Sequence, residues 1–437
     1  MSRIQAWKDF FVPKVHRVAE FMVSQGITIA GNLLYGLLCI RLLPVEDYAK
    51  FVVVFAVQGM LVLLMDVGAT GSIISLVGDR IDNLQLIADY VASLRQLAHW
   101  LFAIVAPGAI LVFPLLVRNR HWSAGVVAAM VAIVLVSAWS ARVSATYASV
   151  LIVRRDRRRW YQAQMISSLG TLALLGVFIA LHWLNAFSAI LINVSGVIAL
   201  ALLYFFRARQ LLGVRGVPSQ EKRTAIIQIT MPAAPSVIFY ALQGQLALLL
   251  ITIFGRTAAV ASVGALARLG QIFTIPSQMN GILVEPYFAR LPRTQLRTNY
   301  LLAISIAGGF GLSMVALARF FPELFLWVLG PKYAAYRVEV VLVMIAGAMA
   351  AVSGLMSAIN GSRKFVFYSM NLSSDAATIL VQIFLIWKMD LSTVKAVLLF
   401  NIFSGLPALV ATTLAALLGF ARGGRKIVGI DYSLEQK

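Results

Sequence analysis

Residues 186–206 read AFSAILINVSGVIALALLYFF, twenty-one positions without a charge, and run directly into Arg207 and Arg209. The hydrocarbon core of a bilayer is about 30 Å thick and an α-helix rises ~1.5 Å per residue, so this stretch is long enough to cross it. Its apolar positions are continuous rather than alternating, which excludes the strands of a membrane β-barrel. Working outward in both directions, eleven further stretches read the same way. The twelve spans are 21–43, 51–77, 96–117, 122–152, 161–183, 186–206, 226–254, 258–284, 299–321, 336–360, 366–387 and 394–420.

Composition agrees. The chain is 60% hydrophobic and only 12% charged, against about 25% charged in a soluble domain. That leaves too few charges to cover a water-facing surface of this size. It excludes a soluble enzyme, a disordered regulator and a disulfide-stapled secreted fold. Cys39 is the single cysteine, and four scattered histidines suggest no metal cluster. The expected fold is an all-α polytopic membrane protein, with about twelve transmembrane helices in two six-helix bundles around a central cleft.

Basic residues set the orientation. Arg3, Lys8, Lys14 and Arg17 precede the first span, interleaved with Trp7, Phe10 and Phe11. The stretch that follows is span-length, carries Gln25, Asn32 and Arg41, and lacks a small-x-small cleavage site, so it reads as a retained helix. Residues 3–17 read as a short interfacial helix or as a frayed basic tail. With the N-terminus in the cytoplasm, 25 Lys and Arg fall on inner segments and 10 on outer ones. The dense run Arg154–Arg159 and the linker basics Arg207, Arg209, Arg215, Lys222 and Arg223 are all inside. The net charge of +20 is therefore topology and attraction to anionic lipid rather than nucleic-acid binding. Both termini are expected in the cytoplasm.

The longest inner connection, 207–225, holds Gly213, Gly216 and Pro218 and divides the spans six and six. The expected organisation is an N-terminal segment 1–20, a bundle 21–206, the linker 207–225, a second bundle 226–420 and a tail 421–437. A shift of 213 positions superposes Gly31 on Gly244, Asn32 on Gln245, Gln58 on Gln271, Gly68 on Gly281 and Arg80 on Arg293. An even number of spans per half makes such a repeat parallel, as in carriers that alternate access around a cleft.

Charges inside a membrane cost ~2.5–3.5 kcal/mol each on insertion scales, so each one needs a reason. Arg142 and Arg268 lie deep in the fourth and eighth spans. In a cleft they would hold a phosphate or diphosphate through forked hydrogen bonds. The alternative pairs them with Asp66, Asp375 or helix-end carbonyls. Arg41 lies near the outer end of span one and reads as an interfacial anchor. Asp66 precedes Gly68 and Gly71, where the helix is expected to loosen. Asp375 sits mid-span among Asn371, Ser373, Ser374 and Thr378. Each of these aspartates is a candidate to bind a coupling H+ or Na+, or to serve as a structural partner. Gln25, Asn32, Gln243 and Gln245, with Gln58 and Gln271 from the repeat, are candidates to meet sugar hydroxyls; such amides also glue helices together. Pro232 and Pro235 should bend span seven and form a hinge. No phosphate loop, HExxH pair or nucleophile with its base is present, nor an inner segment large enough for an ATPase. A transporter without enzymatic activity or a resident cofactor is expected.

The stretches Gly31-Asn32-Leu33-Leu34, Arg41-Leu42-Leu43-Pro44-Val45-Glu46-Asp47-Tyr48 and Asp66-Val67-Gly68-Ala69-Thr70 resemble the opening of Wzx-type polysaccharide flippases. These belong to the multidrug/oligosaccharidyl-lipid/polysaccharide exporter superfamily. The motif match covers about the first 80 residues. The second half departs from it, with Arg256-Thr257-Ala258-Ala259-Val260 in place of the acidic turn. The resemblance implies that an undecaprenyl-diphosphate-linked oligosaccharide is turned from the cytoplasmic to the periplasmic leaflet of a bacterial inner membrane, coupled to a proton or sodium gradient. It also implies work beside a polysaccharide polymerase and a chain-length regulator. A drug exporter on the same fold would instead favour an acidic cleft. A polymerase or ligase would carry a large outer loop, whereas the longest outer segment here is 322–335.

Overall fold

A computed structural model describes residues 3–78, 80–118, 122–232, 234–280, 284–363, 365 and 368–422, with backbone alone for 3–22, 275, 278, 286, 290, 293, 368, 369 and 422. The described residues are overwhelmingly helical and contain no strand. Contacts group the chain into two compact units, 1–253 and 254–437.

The first unit holds α1 (Arg3–Leu42), α2 (Val45–Asp66), α3 (Ala69–Val77), α4 (Leu84–Val117), α5 (Ala124–Val153), α6 (Arg157–Ala180), α7 (Ala186–Leu212), α8 (Gln220–Thr230) and nearly all of α9 (Ala234–Phe254). Short polar side chains start several of these helices by accepting orphan backbone N–H groups. Asn83 accepts from Leu86 N at 3.0 Å, Asp156 from Arg159 N at 3.2 Å and Ser219 from Lys222 N at 3.2 Å. Asn185 and Ser188 form a reciprocal capping box on α7, which Gly213 ends at φ 62°. A core built around Ile73, Ile87, Leu94, Val150, Leu151 and Ile226 ties α3, α4, α5 and α8 together.

The second unit holds α10 (Thr257–Leu269), α11 (Thr274–Met279), α12 (Glu285–Arg290), α13 (Arg293–Phe320), α14 (Pro322–Leu329), α15 (Arg337–Ser362), α16 (Tyr368–Lys388) and α17 (Val394–Arg422). Its core joins Phe288, Tyr300, Ile359, Phe365 and Ala416. Large apolar side chains lie outside both cores. Trp100, Ile104, Leu111 and Leu115 on α4 are 63–72% exposed, a surface suited to lipid.

Eleven helices among the described residues are long and apolar enough to cross a membrane. The stretch expected as the eighth span, 258–284, is not one continuous helix. It is α10, a 3-10 turn Gly270–Phe273 and then α11, with 281–283 outside the described residues. Pro276 within α11 has no N–H to continue the ladder. Two other long spans are also articulated. The second is α2 plus α3, broken where Val67 (φ 46°) and Gly68 (φ 77°) are both left-handed, at the place where Asp66 and Gly68 predict loosening. The stretch 226–254 divides at Met231–Pro232 into α8 and α9. Helix α8 packs on α3 and α4, so the first compact unit extends past the 207–225 linker. No separate interfacial helix precedes the first span, because α1 runs unbroken through Arg3–Leu42.

Candidate functional site

The break after Asp66 positions a polar cluster in the first unit. Asp66 ends α2, where the helix dipole disfavours a carboxylate. Two features offset this. The start of α3 presents its first-turn N–H groups, and Thr70 N donates to Asp66 Oδ1 at 3.2 Å. From α5, Arg142 Nη1 donates to both Asp66 Oδ1 and Thr70 Oγ1, and the Thr70 hydroxyl in turn donates to Asp66 Oδ1. The side chains of Arg142 and Asp66 are 1% and 27% exposed. The guanidinium is thus removed from water and the carboxylate is partly reachable.

One edge of Arg142 is spare. Nε and Nη2 are buried and have no hydrogen-bond partner among the described residues. Those two nitrogens carry the parallel N–H groups that grip two oxygens of one carboxylate or phosphoryl group. A buried guanidinium with an empty fork is costly, so the arrangement suits a site that a two-oxygen anion completes.

The remaining candidates are distributed as follows. Asn32 accepts from Ser168 Oγ at 3.4 Å, and Gln25 donates to Gln164 Oε1 at 2.7 Å, so α1 amides bond to α6. Gln58 is half-buried on α2. Gln243 and Gln245 are half-buried on α9, and Gln245 Nε2 lies 3.3 Å from where a Cβ on Gly59 would stand, so α9 crosses close to α2. Pro232 and Pro235 are exposed at the α8–α9 break. Arg268 lies in the last turn of α10 in the second unit, where a cation offsets the helix dipole; Gln271 follows it in the 3-10 turn. Asp375 is 7% exposed on α16, within a buried stripe with Ser374, Thr378 and Gln382. Gln382 Nε2 and, on the neighbouring α17, Ser404 Oγ are buried without hydrogen-bond partners among the described residues. The structure therefore joins Asp66 to Arg142, and places Arg268, Gln271 and Asp375 in the other unit. Sequence reading missed Thr70 as the third member of the cluster, although its place four residues after Asp66 was the available signal. It also missed Gln382 and Ser404. No group of metal-ligating side chains occurs among the described residues.

No family model matches the chain, and no curated protein sequence matches it. Solved structures do. An inward-facing multidrug resistance MATE family transporter of the MOP superfamily aligns with TM-score 0.60 and 18% identity, over 91% of this chain and 94% of that one. A eukaryotic MATE transporter aligns with TM-score 0.58 and 14% identity over 93% and 95%. A MOP superfamily transporter from Pyrococcus furiosus, described as having a binding pocket of reversed polarity, aligns with TM-score 0.55 and 18% identity over 92% and 93%. Across more than nine-tenths of its length, this multi-pass membrane protein shares the fold of MATE transporters of the MOP superfamily.

Proposed function

We propose that the chain is a flippase that moves a polyprenyl-diphosphate-linked oligosaccharide from the cytoplasmic to the periplasmic leaflet by alternating access coupled to an ion gradient. The observation that carries this reading is the empty Nε/Nη2 fork of buried Arg142, whose geometry and charge match a diphosphate rather than a cationic drug. Asp66 competes for the same guanidinium through Nη1. Neutralising that carboxylate with a proton or a bound cation loosens its hold and leaves Arg142 to the diphosphate, which would couple the ion to the substrate. Arg268 would add a second cation, Asp375 a second coupling carboxylate, and Gln58, Gln243, Gln245 and Gln271 contacts to sugar. Asn32, already bonded to Ser168, would contribute only with its remaining capacity. The break at Pro232 would act as a hinge. The protein would sit in a bacterial inner membrane with both termini in the cytoplasm, beside polymerase and chain-length proteins.

A second reading, an ion-coupled small-molecule exporter, is favoured by the multidrug transporters among the structural neighbours. One assay separates the two. Liposomes with the purified protein receive a fluorescent polyprenyl-diphosphate oligosaccharide, and access of an added glycosidase to the sugar is followed with and without a proton gradient. Protein-dependent loss of protection, abolished by Arg142→Met, supports flipping. Intact protection together with gradient-driven efflux of a cationic dye would overturn it in favour of export.

A further inference from the structure

Another set of cations lies in the first unit and uses none of the residues above. A cavity of about 320 Å³ opens between α4, α5, α7 and the connection that follows Gly213, and Arg95, Arg209 and Arg215 all line it. Its apolar wall includes Tyr147 and Phe205, whose rings meet edge to face at 5.0 Å. Arg209 stands 5.9 Å from the centroid of Phe205, which restrains its guanidinium.

The connection that closes the cavity is anchored to α4. Gly216 lies so close to the helix backbone that a Cβ there would come within 1.9 Å of the Ala88 carbonyl oxygen. Val217 N donates to Asp89 Oδ1 at 2.8 Å, Gln85 Nε2 to the Arg215 carbonyl at 3.3 Å, and Ser219 N to Ser93 Oγ at 3.1 Å. Asp89, the carboxylate next to this wall, is already paired with Lys222. Among the described residues, Arg95, Arg209 and Arg215 form no ion pair. Three exposed guanidinium groups without an ion-pair partner therefore line one open cavity, an arrangement that attracts a multivalent anion. The volume lies at the lower end of small-ligand pockets: ample for a phosphate or diphosphate group and too small for an oligosaccharide.

We propose that this cavity is a phosphate-binding site that takes the anionic head group of a membrane lipid. Its position among the ends of membrane-spanning helices, with one aromatic wall and one cationic wall, is that of a basic pocket between transmembrane helices that holds a lipid head group. Arginine forks on phosphoryl oxygens supply the affinity. The assignment is independent of what the protein transports.

The test uses the purified full-length chain and two probes, cardiolipin in phosphatidylcholine nanodiscs and free inorganic pyrophosphate. Retained cardiolipin is read by native mass spectrometry at 0.3 M salt, where loose surface attraction is screened over about 6 Å. Pyrophosphate binding is read by thermal shift. The triple variant Arg95→Gln, Arg209→Gln, Arg215→Gln is compared with Arg155→Gln, Arg157→Gln, Arg158→Gln, which removes equal charge from exposed positions outside the cavity. The expected result is at least a tenfold loss of retained cardiolipin in the first variant and under twofold in the second. The single variants Arg95→Gln and Arg215→Gln should each lose threefold or more, which keeps the test alive if the triple variant folds poorly. A pyrophosphate response with no cardiolipin retention would keep the phosphate site but overturn its lipid source. Equal loss in both triple variants, or retention of neither probe by the unmodified chain, would overturn the site.

Discussion

Asp66 accepts from Arg142, from the Thr70 hydroxyl and from the Thr70 backbone N–H, while Arg142 has only Nη1 engaged. This asymmetry sets the order of mutational effects. Asp66→Ala strands a guanidinium that is 1% exposed, and removing one partner of a buried pair costs about 3–5 kcal/mol. Arg142→Met removes the charge that needed a partner, keeps most of the side-chain volume, and should cost less than Asp66→Ala. Thr70→Val should cost about 1–2 kcal/mol, the loss of a hydroxyl that both donates and accepts. Thermal unfolding of detergent-solubilised protein checks the ranking, and Asp66→Ala with Arg142→Met combined should be more stable than Asp66→Ala alone. If the two costs simply add, the pair is not coupled. Both charges were legible one at a time in the sequence, because an ionised group in a span is expensive enough to demand a reason. Their pairing was one of several open alternatives, since 76 residues separate them. Thr70 was harder to read, because a hydroxyl costs little in a helix and only its spacing, four residues after Asp66, marked it.

Helix breaks follow the same logic at the next scale. Val67 and Gly68 both lie in the left-handed region, which costs an L-residue with a side chain roughly 1–2 kcal/mol. Gly68 is exposed, and a Cβ there would meet only Val237 Cγ2, at 4.0 Å. Gly68→Ala should therefore destabilise by about 1 kcal/mol through backbone strain alone, and should weaken transport by shifting Asp66 against Thr70. Gly71 is a matched control three residues on, inside α3, exposed, with nothing within 4 Å of an added Cβ. Gly71→Ala should stabilise by about 0.5–1 kcal/mol, because alanine is the better helix former. Equal effects of the two substitutions would show that the left-handed turn is not maintained in the membrane. Glycine and proline made the breaks at Gly68 and Pro232 readable beforehand. The interruption within 258–284 was not, because hydropathy registers how apolar a run is and is blind to its backbone path.

That interrupted segment decides the topology of everything that follows it. Eleven long apolar helices would place the two termini on opposite faces unless the region from α10 onward also crosses. Helix α10 has 13 residues and the 3-10 turn 4. At ~1.5 Å and ~2.0 Å per residue these span about 27 Å, and α11 adds about 9 Å more, together enough for a core about 30 Å thick. The flanking charges agree, with Arg256 alone before the segment and Arg290, Arg293 and Arg297 after it, the excess falling on the side that positive charge marks as cytoplasmic. Alkaline phosphatase fused after residue 256 should be active and green fluorescent protein there dark, with the reverse for fusions after residue 298 and at the C-terminus. Phosphatase activity at both 256 and 298 would mean that 258–284 re-enters without crossing. The helices from α13 onward would then be inverted in the membrane, and with them the face from which Asp375 on α16 is reached. The expected cytoplasmic placement of the Arg95–Arg209–Arg215 cavity depends only on the first six spans, so a fusion after Arg215 tests it separately and should be fluorescent in either case.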